Sequence, residues 1–124
     1  MKIKSISEPK IVKIHIDLEN KLKQGEKISV QFMGGAMIPK EDDDENCFAS
    51  MNLLMKNTSD KIIVSLLVQS KVVCPVTESG KKSRQDLIKT EVFPKLIDKI
   101  KEIYNLLGED TIVKLPNFPE LNLN

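Results

Sequence analysis

The chain has no tryptophan, one tyrosine and four phenylalanines, so aromatic residues make up 4% of its 124 positions. Its 19 basic and 18 acidic residues leave a formal charge of only +1. Nucleic-acid binding rests on a cationic excess and on aromatic stacking, and neither is offered. Two cysteines, Cys47 and Cys74, are too few for a disulfide framework. His15 is the single histidine and lies far from both in sequence. A closed zinc site takes about four ligands, usually in close pairs, so no metal is expected. The longest uncharged apolar stretch, Ile62 to Ser70, falls far short of the roughly 20 residues of a membrane helix. The amino terminus alternates Lys and Ile instead of presenting the apolar core of a secretory signal. These absences point to a cytoplasmic protein with no membrane insertion.

Chemistry-bearing motifs are missing as well. Gly34-Gly35 has no following Lys-Ser/Thr and no helix to open, so it cradles no phosphate. No paired carboxylates or Cys–His pair stand at workable spacing. Both cysteines fall within expected strands, where a buried thiol is inert. The expectation is a protein that is not an enzyme and carries no cofactor.

What is present is a 40% apolar, 30% charged chain, enough for one folded domain over residues 1–124. From Lys10 to Asn20, Val12, Ile14, Ile16 and Leu18 alternate with Lys13, His15, Asp17 and Glu19, the period of a strand with one wet face. A turn around Gly25 leads to a second strand from Lys27 to about Ile38, with the glycine pair as a bulge or an early end. A third strand runs from Cys47 to Lys56. After the polar Asn57-Thr58-Ser59-Asp60, a fourth runs from Lys61 to Cys74 and stops at Pro75.

The period then lengthens to three and four residues. Leu87, Ile88, Val92, Leu96, Ile97, Ile100, Ile103, Tyr104 and Leu107 form the apolar stripe of a long helix. Ser83 is the expected N-cap and Gly108 the expected stop. Pro94 should kink the helix or divide it, and the residues from Glu109 onward should be extended. The fold class is α+β: a four-stranded, mostly antiparallel sheet, one long Pro-kinked helix and an extended C-terminal tail. One helix about 10 Å wide covers about half of a sheet roughly 19 Å across. Strands three and four are apolar on both faces, so another subunit or a client is expected over the remainder.

Thr90-Glu91-Val92-Phe93-Pro94-Lys95-Leu96-Ile97, followed by Pro119-Glu120-Leu121-Asn122-Leu123, resembles the SecB export-chaperone family. There, a Phe-Pro pair lies in the long helix after four strands, and a Pro-x-Leu-Asn-Leu run follows. The order of elements agrees over nearly the whole chain. The resemblance implies a SecB-like fold that assembles as a homodimer or homotetramer and holds unfolded or extended polypeptides along apolar grooves. It also implies a translocation motor or, for the relatives that accompany toxin–antitoxin pairs, an antitoxin as partner. The export chaperone continues into a second helix beyond this run.

From pattern and composition, the apolar client contacts are Phe32, Phe48, Met51, Met55, Tyr104, Phe118 and Leu121. Methionine suits a surface that must adapt to varied partners, although it more commonly fills ordinary cores. The acidic run Glu41-Asp42-Asp43-Asp44-Glu45 reads as a solvated loop, or as an electrostatic docking patch for a basic partner. Lys81-Lys82-Ser83-Arg84 reads as a solvated basic cluster. The leading function is a holdase-type chaperone or adaptor. The alternative is a structural module whose apolar surface is consumed by self-association.

Overall fold

A computed structural model describes residues 2–17, 28–41, 43–76 and 80–110. The strands are β1 (Ser5–Ile6), β2 (Lys10–Ile16), β3 (Ser29–Met37), β4 (Asn46–Lys56) and β5 (Ile62–Val73). They are followed by helices α1 (Lys81–Glu91) and α2 (Phe93–Asp110). All strand pairs are antiparallel, and β3, β4 and β5 lie side by side. β1 and β2 together line the far edge of β5. The expected four strands are therefore joined by a two-residue β1, too short to announce itself by alternation. The expected turn around Gly25 lies outside the described residues.

The register fixes the two faces. Cys47 opposes Val72, Met51 opposes Val68 and Leu53 opposes Leu66, so the odd residues of β4 and the even residues of β5 share one face. Both helices pack on that face. Ala49, Leu53, Val64, Val68, Ile88, Val92, Leu96 and Ile100 are wholly buried between the layers. Each large aliphatic side chain so buried contributes about 1.5–3 kcal/mol before ordering costs. α1 reaches over β3, while α2 lies along β4 and β5.

Two irregularities revise the expected alternation. An extra residue in β2, between Ile11 and Lys13, shifts Val12 out of step with Ile14 and Ile16. A second shift between Met55 and Lys56 leaves Ile62 exposed, although Val64 to Cys74 keep their common buried face.

The helix divides at Val92, one residue before the Phe-Pro pair. Pro94 has no N–H to give the Thr90 carbonyl, which ends the α1 ladder. The Val92 carbonyl then accepts from both Lys95 N (3.0 Å) and Leu96 N (3.1 Å), which starts α2. Ser83 is not the N-cap. Gly80 takes that position with φ at 85°, a left-handed conformation that glycine adopts without a Cβ penalty, so the helix begins earlier. Gly108 does not stop α2 either; the helix runs on through Glu109 to Asp110, so the extended tail cannot start at Glu109. Residues 111–124, with Phe118 and Leu121, lie outside the described part.

Phe93 explains one of the paired glycines. Its ring lies against Gly34 on the helix side of β3, so closely that a Cβ on Gly34 would overlap Cε2 and Cζ. Glycine within a strand ordinarily costs about 0.5–1 kcal/mol relative to Ala. The close approach of the ring reverses that preference.

Two tests follow. Gly34→Ala should destabilise the protein by about 1–3 kcal/mol in denaturant unfolding. In a Phe93→Ala background the same change should become neutral or stabilising, and an equal penalty in both backgrounds would exclude the ring as the cause. The second test uses Tyr104, the single tyrosine, which is 3% exposed. Burial pushes its phenol up to about 12 from 10.0. The raised folded value favours the neutral form, so this stabilisation is fully present below pH about 10 and is lost as pH rises towards 12, about 2–3 kcal/mol in all. Alkaline difference absorbance should place phenol ionisation and unfolding together above pH 10, and titration near 10 in a still-folded protein would refute it.

Candidate functional site

The sheet face turned away from the helices carries Met33 and Met37 of β3, Phe48 and Leu54 of β4, and Leu67 and Val73 of β5. Met33, Met37 and Phe48 are exposed, Met37 to 56%. Strand alternation puts them there: with helices over the odd positions of β4, every even position faces outward.

A groove of about 520 Å³ lies beside Phe48 on this face. Its walls include Ser7, Lys10, Ile11, Val12, Phe48 and Lys71. The interruption between β1 and β2 shapes it. Ser7 donates its N–H to the Lys71 carbonyl at 2.9 Å, and its hydroxyl accepts the Lys71 N–H at 2.8 Å. The side chain thus takes over a ladder bond, and the chain passes Pro9 without stranding β5. The extra residue in β2 then leaves Val12 54% exposed at the groove.

The site residues expected from sequence are dispersed. Phe48 is exposed on the outer face, and Phe32 is partly buried beneath the helices near the β3 edge. Met51, Met55 and Tyr104 belong to the core, closed off from a client in the folded chain. They face the helices because β4 is a central strand whose odd positions all point that way. Met33, Met37 and Val12 are the apolar groups that sequence reasoning passed over. The available signal was the alternation of β3, in which Met33 and Met37 share a side with Ser29 and Gln31.

The acidic run is woven into the fold. Glu41 and Asp43 are exposed, and Asp42 lies outside the described residues. Asp44 Oδ1 accepts from the backbone and side-chain nitrogens of Asn46, both at 2.9 Å, which holds its carboxyl below the usual range. Glu45 pairs with Lys4 at 2.7 Å. Among the described residues no cluster of His, Cys, Asp and Glu could hold a metal.

Arg84 departs most from expectation. It is 2% exposed rather than solvated. Its Nη2 donates to the Asp44 carbonyl at 2.7 Å, the Cys74 carbonyl at 3.2 Å and the Cys47 sulfur at 3.4 Å. Both thiols are free and buried. Burial pushes the Cys47 thiol up, and the nearby guanidinium does not reverse that shift. A nucleophilic cysteine needs the opposite balance.

No family model and no curated protein matches the chain. Among solved structures, the chain is similar to the Rv1957 SecB-like chaperone of Mycobacterium tuberculosis, determined in complex with a ChAD peptide from the HigA1 antitoxin. The match has a TM-score of 0.68 at 10% identity and covers 95% of this chain and 90% of that one. At that identity the likeness is one of fold: an antiparallel sheet followed by a bent helix, with α+β architecture of SecB-like type.

Proposed function

We propose that this chain is a non-enzymatic SecB-like holdase or adaptor that keeps an extended polypeptide segment against the outer face of its sheet. The observation that carries the reading is the set of exposed apolar side chains on that face, Val12, Met33, Met37 and Phe48. A fold shared with a peptide-binding chaperone supports it. Flexible thioethers accommodate varied apolar partners, so many weak contacts replace one shaped pocket, and no nucleotide is called for. Phe48 is the sequence-derived contact residue best placed for this role. The client is an antitoxin or an export precursor passed to a translocation motor, met in the cytoplasm.

A second copy of the chain occupies a different surface in this reading. Ile14 pairs with Leu66 of β5, on the register that faces the helices, yet it is 44% exposed. Leu106 of α2 is exposed as well. The helices close over β4 and β5 and leave this edge uncovered, which suits a homodimer or homotetramer.

The test measures aggregation of a chemically denatured protein. The native chain should slow it at near-stoichiometric ratio, and a Met33→Ser, Met37→Ser, Phe48→Ser variant should lose most of that effect with little change in melting temperature. Light scattering should give a mass at least twice 14.0 kDa. Ile14→Ser with Leu106→Ser should lower that mass while preserving suppression. A native protein that neither slows aggregation nor binds an apolar dye is instead the self-association module.

A further inference from the structure

We infer that the outer sheet face, the site proposed above, selects extended segments in which carboxylates stand beside apolar side chains. The near-neutral total charge conceals a sided distribution. No Asp or Glu occupies any position of β1 to β5, whereas these strands carry Lys10, Lys13, His15, Lys56 and Lys71. Lys56 is engaged by Asp60 at 3.5 Å. Lys10 opposes Gln69, Lys13 opposes Leu67 and His15 opposes Ser65, which puts them with Lys71 on the outward register. Lys10, Lys13 and Lys71 are exposed and form no ion pair with a described residue.

Lys10 and Lys71 flank the groove whose walls include Val12 and Phe48. Lys71 lies two positions along β5 from Gln69, the partner of Lys10, a diagonal of about 7–8 Å. In an extended peptide, side chains on one side recur about every 6.6 Å. Two carboxylates at alternate positions can therefore meet both ammonium groups while an apolar neighbour reaches the groove.

Guarding a sheet edge against other strands is a structural use for lysine. That use covers Lys10 and Lys13 on β2 but not Lys71, which sits on an internal strand. A nucleic acid fits the surface poorly. Phe48 is the one aromatic residue among the groove walls, and Arg84, the chain's single arginine, is buried.

The experiment uses fluorescence anisotropy with two labelled, unstructured peptides of the same Leu and Phe content, one with Asp and the other with Lys at alternating positions. The native chain should bind the Asp peptide roughly tenfold more tightly, and added salt should erode the difference. Lys10→Gln with Lys71→Gln should reduce the preference to about twofold or less without weakening the Lys peptide. Equal affinity for the two peptides, or a preference that survives the double variant, would overturn the inference. So would equally tight, lysine-dependent binding of oligo-dT or of phosphatidylserine vesicles. Should both peptides bind equally and both lose affinity in the Met33→Ser, Met37→Ser, Phe48→Ser variant, the charge selection fails while the holdase reading stands. If neither peptide binds, both fail.

Discussion

The pairing of β4 with β5 governs almost every other feature. With Cys47 opposite Val72 and Leu53 opposite Leu66, the small and aliphatic side chains of both strands fall on one side, and α1 and α2 close over them. A slip of one residue would send Phe48, Ser50 and Asn52 under the helices and expel Met51 and Leu53 to water. The same register brings the two cysteines to one end of the sheet, beneath Arg84. It also places Phe48 outward beside Lys71, where the groove forms. Core, polar anchor and outer surface are thus consequences of one alignment.

Arg84 shows how that alignment is held at its end. The guanidinium gathers the Asp44 carbonyl, the Cys74 carbonyl and the Cys47 sulfur, so it ties α1 to the loop before β4 and to the residues after β5. Hydrogen bonds to a charged group are stronger than neutral ones, and leaving such a group buried without them is expensive. The acidic run owes its shape to this anchor, because Asp44 offers its carbonyl to Arg84 and its carboxylate to Asn46. Charge composition alone suggested solvated loops for both segments. The contacts that decided otherwise are backbone carbonyls, which leave no trace in composition.

Much of the architecture was readable in the sequence because its signals were periodic or stereochemical. Alternation marked four strands, a change of period marked the helix, and Pro94 marked its division. The Phe-Pro pair and the order of elements indicated the SecB-like fold. Features set by single residues or by tertiary contact were less readable. β1 is two residues long and is defined by β5, not by its own pattern. The shift at Val12 changes the side on which an apolar residue falls; its one trace in the sequence is the adjacent apolar pair Ile11-Val12, which the regular alternation from Val12 onward masks. Methionine serves cores and adaptable surfaces alike, and alternation could not say which strand face the helices would take. Met51 and Met55 therefore went to the core, and Met33 and Met37 to the outside.

The sidedness of charge has a physical source in the same arrangement. Strands disfavour Asp most among the charged residues here, and Glu and Lys less. Propensity therefore accounts for the missing Asp, while the lysines persist as long, solvent-reaching side chains. The helices can carry both signs, as Lys95, Asp98 and Lys101 do along exposed positions of α2. A sheet without carboxylates leaves Lys10, Lys13 and Lys71 with no ion-pair partner among the described residues, whereas a turn supplies Asp60 for Lys56. An isolated lysine at the surface is no burden in water. It becomes informative when its neighbours are exposed apolar groups, because a partner that covers Val12 and Phe48 must also desolvate Lys10 and Lys71. A bound segment with no anion would meet that desolvation without return, whereas one bearing carboxylates at alternate positions would recover it in ion pairs shielded from solvent. In the proposed role, the apolar surface would set how firmly a segment is held, and the lysines which segment is held.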